Sequence, residues 1–196
     1  CKKNVERFYM SGNKKKKMAK WAYENNYGSV TLQSGERQDK NFEKFVKDMI
    51  LEIKEVSNGK LGLTLCLGEQ TEDIYREWFE AGGHRYLLRI ETTNEELYKV
   101  IHPDNSIHSF QKRVDCLKTL KKIGYQVGTG VMIGLPGQTE EDLVNDILFF
   151  EKMDIDMIGM GPYVVHKDTP LGKDVISNDL NTEEEKYKRL VLGLKI

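Results

Sequence analysis

The hydrophobic positions along the chain form two kinds of run, which alternate over most of the sequence. Short, nearly continuous apolar runs predict five strands, at residues 29–33, 61–67, 85–90, 126–133 and 156–160. Apolar residues spaced three and four apart predict helices, at residues 13–27, 41–56, 71–81, 94–101, 107–123 and 139–153. We expect residues 161–171 to form the longest loop, followed by a final helix.

Side chains that cap helices support these boundaries. Thr139 precedes a helix and Asp142 follows three residues later, which is the spacing of a capping box. Thr182 and Glu185 have the same spacing before the final helix. Gly124 is placed to end the helix that precedes the fourth strand.

The strand pattern predicts the fold class. The strands are short apolar runs rather than alternations of apolar and polar residues, which is typical of parallel strands covered on both faces. Strands that alternate with helices indicate an α/β fold with a parallel sheet. No repeat, low-complexity segment or linker separates a second domain, so we expect a single domain over residues 1–196.

Composition and charge exclude several functional classes. The chain has 196 residues, of which 39% are hydrophobic and 31% charged, so it has enough apolar residues for a core. Its 30 basic and 31 acidic residues give a net charge of −1, which predicts no nucleic-acid partner. No apolar run approaches the roughly 18 residues that span a bilayer, so no membrane association is expected.

The three cysteines are far apart in the sequence, at Cys1, Cys66 and Cys116. Their odd number and wide spacing argue against a disulfide framework and favour a reducing, cytoplasmic setting. No two of them have the close spacing of a zinc or iron–sulfur motif. Cys66 and Cys116 lie in apolar surroundings, and we expect both to be buried, unreactive thiols.

Polar and glycine residues cluster where each predicted strand ends. The segments are Gln33-Ser34-Gly35-Glu36, Leu67-Gly68-Glu69, Arg89-Ile90-Glu91-Thr92, Gly134-Leu135-Pro136-Gly137 and Gly161-Pro162-Tyr163. In a barrel of parallel strands these ends share one face, which is where ligands bind. The sequence therefore predicts a ligand site at the carboxyl ends of the strands.

Arg89 and Glu91 are two residues apart on a strand, so both side chains point to the same side. If that side is the barrel interior, each charge needs a partner or a ligand. Two interpretations remain open: a structural ion pair, in which Arg89 satisfies Glu91 or Glu36, and a ligand-binding pair. The strand ends as a set favour the second interpretation.

The remaining candidate groups point to chemistry supplied by a cofactor. No two histidines have metal-ligand spacing, and we expect His84, His102 and His108 to be structural. His166 follows the fifth strand and is near enough in sequence to face the site. The chain has no nucleophile elbow, P-loop or dinucleotide-binding fingerprint. A pocket of carboxylates and arginines without an active nucleophile would need a cofactor.

These strand-end motifs resemble the radical S-adenosylmethionine (SAM) enzymes of the biotin synthase group. The resemblance runs from about Val5 to the C-terminus, and its most specific part combines Gln-Ser-Gly-Glu with Leu-Leu-Arg-x-Glu-Thr. Gly-Leu-Pro-Gly-Gln-Thr is shared broadly among radical SAM proteins, and the Gly-Pro-x-x-x-His loop agrees with the same group. Within the group, the motifs are most similar to those of the FeFe-hydrogenase maturases.

The resemblance implies a TIM-type barrel that carries a 4Fe–4S cluster on a Cys-x3-Cys-x2-Cys loop. The cluster would cleave SAM reductively to a 5′-deoxyadenosyl radical, in assembly of the hydrogenase diiron subcluster. It implies an electron donor, a small-molecule substrate and other hydrogenase maturation proteins as partners. The implied SAM-binding residues are Ser34, Gly35, Glu36, Glu91 and Arg113, and the implied cavity residues are Thr64, Arg89, Met132 and Met157. Arg89 in that cavity would favour an anionic substrate.

The chain departs from the family pattern at both ends. Cys1-Lys2-Lys3-Asn4 resembles the first half of the cluster motif, so Cys1 is the implied metal ligand and we expect about a dozen residues to be missing between Asn4 and Val5. The alternatives are that Cys1 is the last of the three cysteines, or that the loop is lost. Five strands do not close a barrel of about 250 residues, so we expect its C-terminal part to follow Ile196.

Three functional alternatives stay open on this sequence. Two lie within the family, a biotin-synthase-like enzyme and a methylornithine-synthase-like enzyme. The third belongs to another class, a non-catalytic remnant that binds SAM or a partner without a cluster. Fold-level similarity by itself does not fix the substrate.

Overall fold

A computed structural model describes residues 10–103, 105, 108–177 and 182–195. Within these residues the chain forms one five-stranded parallel sheet whose strands follow sequence order. The strands are β1 (Ser29–Gln33), β2 (Gly62–Cys66), β3 (Arg85–Leu87), β4 (Gln126–Ile133) and β5 (Met157–Pro162). The helices are α1 (Gly12–Glu24), α2 (Lys40–Val56), α3 (Glu72–Glu80), α4 (Glu95–Ile101), α5 (Phe110–Ile123), α6 (Glu140–Lys152), α7 (Pro170–Ser177) and α8 (Glu183–Lys195).

This architecture confirms the predicted α/β class. Parallel strands in sequence order, each connected to the next through helical segments, are the arrangement of part of a TIM-type barrel. The capping box of Thr139 and Asp142 is present at the start of α6, and Gly124 ends α5 in the left-handed conformation. No helix in the described ranges is both long and apolar enough to cross a bilayer.

Helix α7 was not predicted, because residues 161–171 lacked a periodic apolar pattern. The helix has only eight residues and begins at Pro170, whose fixed φ suits the first helical position. The Thr169 hydroxyl accepts a hydrogen bond from the Gly172 N–H at 3.0 Å, so the end of the expected loop is a helix start. A single fully buried residue, Val175, gives too short a pattern to detect.

Among the other boundaries that differ from the prediction, two bear on the strand ends. Strand β3 ends at Leu87, and the chain continues beside β4 through separate backbone hydrogen bonds of Leu88 and Glu91 and an isolated bridge between Glu91 and Val131. Helix α5 begins at Phe110 rather than at residue 107, because the Ser109 side chain caps it. Both differences place polar residues in loops at the carboxyl ends of the strands.

The main hydrophobic core lies between the sheet and the helices. Leu63 and Leu65 of β2 are buried in it, beside Trp78 of α3 and Ile50 of α2. Because side chains alternate along a strand, Thr64 and Cys66 lie on the opposite face of β2, which we call the open face. The open face supplies the site described below.

The prediction that both internal cysteines are buried is confirmed for one of them. Cys116 is buried on α5. Cys66 is half-buried on the open face, because it shares the strand register of Thr64 and not that of Leu65. An apolar sequence neighbourhood did not reveal which face the thiol occupies.

Candidate functional site

Three charged side chains, two from loops and one from a helix, meet at the carboxyl ends of β1 and β2. The Arg113 Nη2 atom lies 3.0 Å from Glu36 Oε1, and Arg113 Nε lies 2.8 Å from Glu69 Oε1. Glu36 follows β1, Glu69 follows β2, and Arg113 lies in the first turn of α5. One guanidinium thus stands between two carboxylates, and we call these three residues the arginine cluster.

The backbone of Gly68 gives Glu36 its path into the cluster. Gly68 has a φ of +76°, and a Cβ atom there would lie 2.2 Å from the Glu36 Cγ atom. Any side chain at this position would therefore displace Glu36. In the Leu-Gly-Glu motif, Gly68 therefore leaves room for the carboxylate of Glu36, and the next residue, Glu69, supplies the second carboxylate of the cluster.

Arg113 is held firmly although it is buried. It is 5% exposed, and its Nε also donates to the hydroxyl of Tyr98 at 3.2 Å. Burial disfavours the charge, but Tyr98 and the two carboxylates outweigh it and raise the pKa of Arg113. Arg113 therefore keeps its charge and supplies an oriented cation to this end of the sheet.

Glu69 is the more constrained of the two carboxylates. It is 1% exposed, and burial raises its pKa against the opposing effect of Arg113. Neither of its oxygens accepts a hydrogen bond from a described residue, since the short contact with Arg113 lacks hydrogen-bond geometry. By contrast, the Glu36 side chain is 33% exposed and is available to a ligand.

Arg89 and Glu91 form the ion pair that the sequence left as one of two interpretations. Arg89 Nε and Nη2 donate to the two Glu91 oxygens at 2.9 and 3.0 Å, a bidentate arrangement. The guanidinium also donates to the carbonyls of Val131 and Gly159, at 3.0 and 2.9 Å. The pair is neutral as a unit, and Arg89 ties together the ends of β3, β4 and β5.

Two glycines allow Arg89 to reach across the sheet. Gly130 and Gly159 are opposite each other in the β4–β5 register. A Cβ atom at either position would lie 2.9 Å from Arg89 Nη1. The open face of β4 and β5 is therefore bare backbone at this point, and the guanidinium lies directly on it.

A buried aspartate positions the turn after Glu91. Glu91 has a φ of 66°, which is uncommon for a residue with a side chain, so this turn needs support. Asp146 of α6 is fully buried and accepts hydrogen bonds from both the backbone N–H and the hydroxyl of Thr93, at 2.7 and 2.6 Å. Burial raises the pKa of Asp146, and the bonds from Thr93 oppose that effect.

Gln138 fastens the loop that follows β4. Its Oε1 atom accepts from the N–H groups of Gly134 and Leu135 at 2.6 and 3.1 Å, and its Nε2 donates to the Met132 carbonyl at 3.0 Å. Gly134 has a φ of +77°, a conformation that favours glycine. One amide side chain thereby fixes the Gly-Leu-Pro-Gly turn in place.

The Cys66 thiol lies on the open face, where the charges of both groups act on it. Burial is the largest effect and raises the pKa of the thiol, while Arg89 and Arg113 oppose that effect and Glu91 and Glu36 add to it.

The other predicted site residues are placed as follows. Ser34 is exposed, and its hydroxyl donates to the Gly35 carbonyl at 2.8 Å. Thr64 is half-buried on the open face, and Met132 and Met157 are half-buried on β4 and β5. Cys1, the predicted metal ligand, lies outside the described residues, and within those residues no group of three or more potential ligands could hold a metal ion.

The histidines divide differently from the prediction. His84 is exposed at the start of β3 and contacts Phe79, and His166 is exposed in the loop after β5. His102 stacks on Tyr98 with ring centroids 3.7 Å apart, which agrees with a structural role. His108 does not fit the prediction, because its Nε2 lies 2.6 Å from Glu36 Oε2.

The lowered pKa of His102 predicts that the protein loses stability in acid. Burial, and secondarily the charge of Arg113, lowers its pKa from 6.5 to about 4. The neutral form is favoured by folding, so its contribution is complete above pH 6.5 and is lost as the pH falls towards 4. Over that interval we expect the native protein to lose about 1–3 kcal/mol more unfolding free energy than a His102→Phe variant, in urea titrations. Equal losses would contradict this assignment.

Sequence reasoning missed four residues of this region: Glu69 as a partner of Arg113, His108, Gln138 and Asp146. Glu69 and Gln138 lie inside motifs that were recognised, but the partners of their side chains were not deducible from spacing. Asp146 falls in the apolar stretch of α6, where a carboxylate is itself a signal. His108 had no signal, because its contact with Glu36 joins residues 72 positions apart.

Comparison with known proteins gives a consistent result. The family model of the radical SAM superfamily matches residues 6–150. The chain is 42% identical over 173 residues to the [FeFe] hydrogenase maturase subunit HydE of Thermotoga maritima, covering 88% of the chain and 47% of that protein. It is 32% identical over 139 residues to a biotin synthase of Bacillus cytotoxicus, covering 70% and 39%.

Solved structures show the same fold. The crystal structure of methylornithine synthase (PylB) superposes with a TM-score of 0.76 at 22% identity, covering 88% of this chain and 50% of that one. At this identity the likeness concerns the fold alone. The chain spans about half the length of the relatives it matches.

Proposed function

The chain belongs to the radical SAM superfamily, and from that premise we propose that the strand ends bind the methionine part of SAM. Glu36 would accept the α-ammonium group, while Arg113 and Glu91 would contact the other polar atoms. Ser34 and Gly35 would line the same loop. The observation that carries this proposal is the arginine cluster, in which an accessible carboxylate and a buried guanidinium lie 3.0 Å apart.

The residues present fit the ligand in charge and in access. SAM carries an ammonium, a carboxylate and a sulfonium, so a site for it needs both signs of charge with an excess of negative charge. The arginine cluster has two carboxylates and one guanidinium. Because the Arg89–Glu91 pair is neutral, this negative excess is not cancelled by the neighbouring side chains.

We propose that the whole protein is a radical SAM enzyme of the HydE type, acting in maturation of FeFe-hydrogenase. A 4Fe–4S cluster, held by a cysteine loop that would include Cys1, supplies the electron for reductive cleavage of SAM when it is bound. The identity to HydE, 42% over 88% of the chain, supports this choice over a biotin-synthase-like function. An electron donor and the other maturation proteins would be its partners.

The open face would form the wall of the substrate cavity. The implied cavity residues are half-buried: Thr64 lies on β2, Arg89 in the segment after β3, Met132 on β4 and Met157 on β5. The expectation for Arg89 changes, because Glu91 already balances its charge and the pair offers no net positive charge to a substrate. We therefore propose that Arg89 recognises an anionic group on a small substrate through its remaining N–H capacity rather than through net charge.

Glu36→Gln tests the proposed cofactor site. The amide keeps the size of the side chain but removes the charge that attracts an ammonium, so we expect SAM affinity to fall by about tenfold or more. The assay is 5′-deoxyadenosine release by the purified, anaerobically reconstituted protein, together with SAM binding by equilibrium dialysis. Glu80→Gln, an exposed carboxylate at the end of α3, is the matched control.

The outcomes separate the candidate functions. Release of 5′-deoxyadenosine that depends on Glu36 supports the radical SAM enzyme. SAM binding without release, from protein that retains all three cluster cysteines, would leave a non-catalytic binding protein. Activation of FeFe-hydrogenase in an extract that lacks HydE, compared with conversion of dethiobiotin, decides between the maturase and the biotin-synthase-like function.

A further inference from the structure

His108 contacts the proposed cofactor carboxylate, although it belongs to no motif that pointed to the site. It lies in the connection between α4 and α5, directly before the cap residue Ser109. Its Nε2 atom lies 2.6 Å from Glu36 Oε2, and its side chain is 17% exposed. His108 is therefore part of the rim of the site rather than a surface side chain.

Both ring nitrogens of His108 face oxygen atoms. While Nε2 faces Glu36, Nδ1 lies 2.7 Å from the amide oxygen of Asn105. An imidazole in either protonation state has an N–H donor, so a ring placed between two oxygen atoms can donate to at least one of them. The amide of Asn105 thus fixes the ring with Nε2 directed at the site.

Glu36 is shared between two donors in this structure. Arg113 takes one of its oxygens at 3.0 Å and His108 takes the other at 2.6 Å. The titratable groups around the ring are Glu36 after β1, Glu69 after β2, Arg113 on α5 and His102, directly after α4. Without a ligand, Arg113 and His108 therefore share Glu36 as a partner.

A zwitterionic ligand would exchange these partners. When the α-ammonium of SAM takes Glu36, Arg113 and His108 lose an acceptor at the same time. The α-carboxylate on the same carbon atom offers two acceptor oxygens at that place. We propose that His108 binds the α-carboxylate of SAM together with Arg113, an inference that rests on the proposed function.

The experiment compares two ligands that differ by one group. SAM and decarboxylated SAM share the amine, the sulfonium and the adenosyl group, and only SAM has the carboxylate. Dissociation constants for both are measured by equilibrium dialysis on the anaerobically reconstituted protein, without reductant, for the native protein, His108→Ala and His108→Gln. His84→Ala, an exposed histidine at the opposite end of the sheet, is the control.

We expect His108→Ala to weaken SAM binding by about tenfold and to change binding of decarboxylated SAM by less than about twofold. His108→Gln, which keeps an N–H donor without the imidazole ring, should give an intermediate loss for SAM. It also serves as the measurement if thermal unfolding shows that the alanine variant does not fold.

Three results would overturn the assignment. An equal loss for both ligands would mean that His108 only orients Glu36, and tighter binding of both would mean that it competes with the ammonium. Unchanged binding of both would remove it from the site. If the native protein binds neither ligand, the proposed function itself fails, which differs from native binding that does not respond to His108.

Discussion

Replacing Arg113 by methionine is expected to abolish measurable SAM binding and to lower the free energy of unfolding by about 3–5 kcal/mol. Methionine has a similar length but removes the charge between Glu36 and Glu69. Glu69 is 1% exposed and has no other cation at contact distance among the described residues, so its carboxylate would be left unpaired in the interior. The measurements are urea unfolding and equilibrium dialysis with SAM.

A second variant separates the two parts of this effect. Adding Glu69→Gln to Arg113→Met removes the unpaired carboxylate, so we expect the double variant to recover a large part of the lost stability. SAM binding should not recover, because the cation that faces Glu36 is still missing. If the double variant is less stable than Arg113→Met, the pairing of Glu69 with Arg113 is not the main source of the loss.

Gly130→Ala is expected to cost about 3 kcal/mol or more in unfolding free energy, although it adds only one methyl group. An added Cβ would lie 1.8 Å from the Gly159 carbonyl oxygen and 2.9 Å from Arg89 Nη1. Neither the ladder between β4 and β5 nor the guanidinium fixed by Glu91 can move without losing hydrogen bonds. Urea unfolding with an unchanged m-value measures this cost.

Gly128→Ala is the matched control for this substitution. Gly128 lies on the same strand, two residues earlier, and its nearest neighbours would be the ends of Leu87 and Met157 at 3.0 Å. These flexible side chains can adjust, so we expect a cost of about 1 kcal/mol or less. Equal costs at the two positions would mean that the strand backbone, and not the path of Arg89, requires glycine in β4.

Arg89 also shows how far local reasoning reaches. The strand period placed Arg89 and Glu91 on one side and predicted that each would need a partner or a ligand. The strand period did not distinguish a protein partner from a ligand. The structure shows that Arg89 pairs with Glu91 and donates to two backbone carbonyls, one from β4 and one from β5. Those carbonyls are 42 and 70 residues away in sequence, so no local pattern contains them.

The sequence by itself determined the five strands, most of the helices and the parallel α/β class. These features depend on hydrophobic period, capping residues and turn glycines, which act over a few neighbouring residues. The short helix α7 escaped because eight residues give too little periodicity. The resemblance implied Glu36, Glu91 and Arg113 as SAM-binding residues, and in the structure Glu36 and Arg113 lie 3.0 Å apart.

Only the tertiary structure decided which charges meet. Glu36 lies between Arg113 and His108, Cys66 faces the site rather than the core, and Asp146 supports the turn after Glu91. Each of these contacts joins segments that are brought together only when the helices pack on the sheet. Their energies depend on burial and on distance in space, and neither quantity is written in the spacing of residues along the chain.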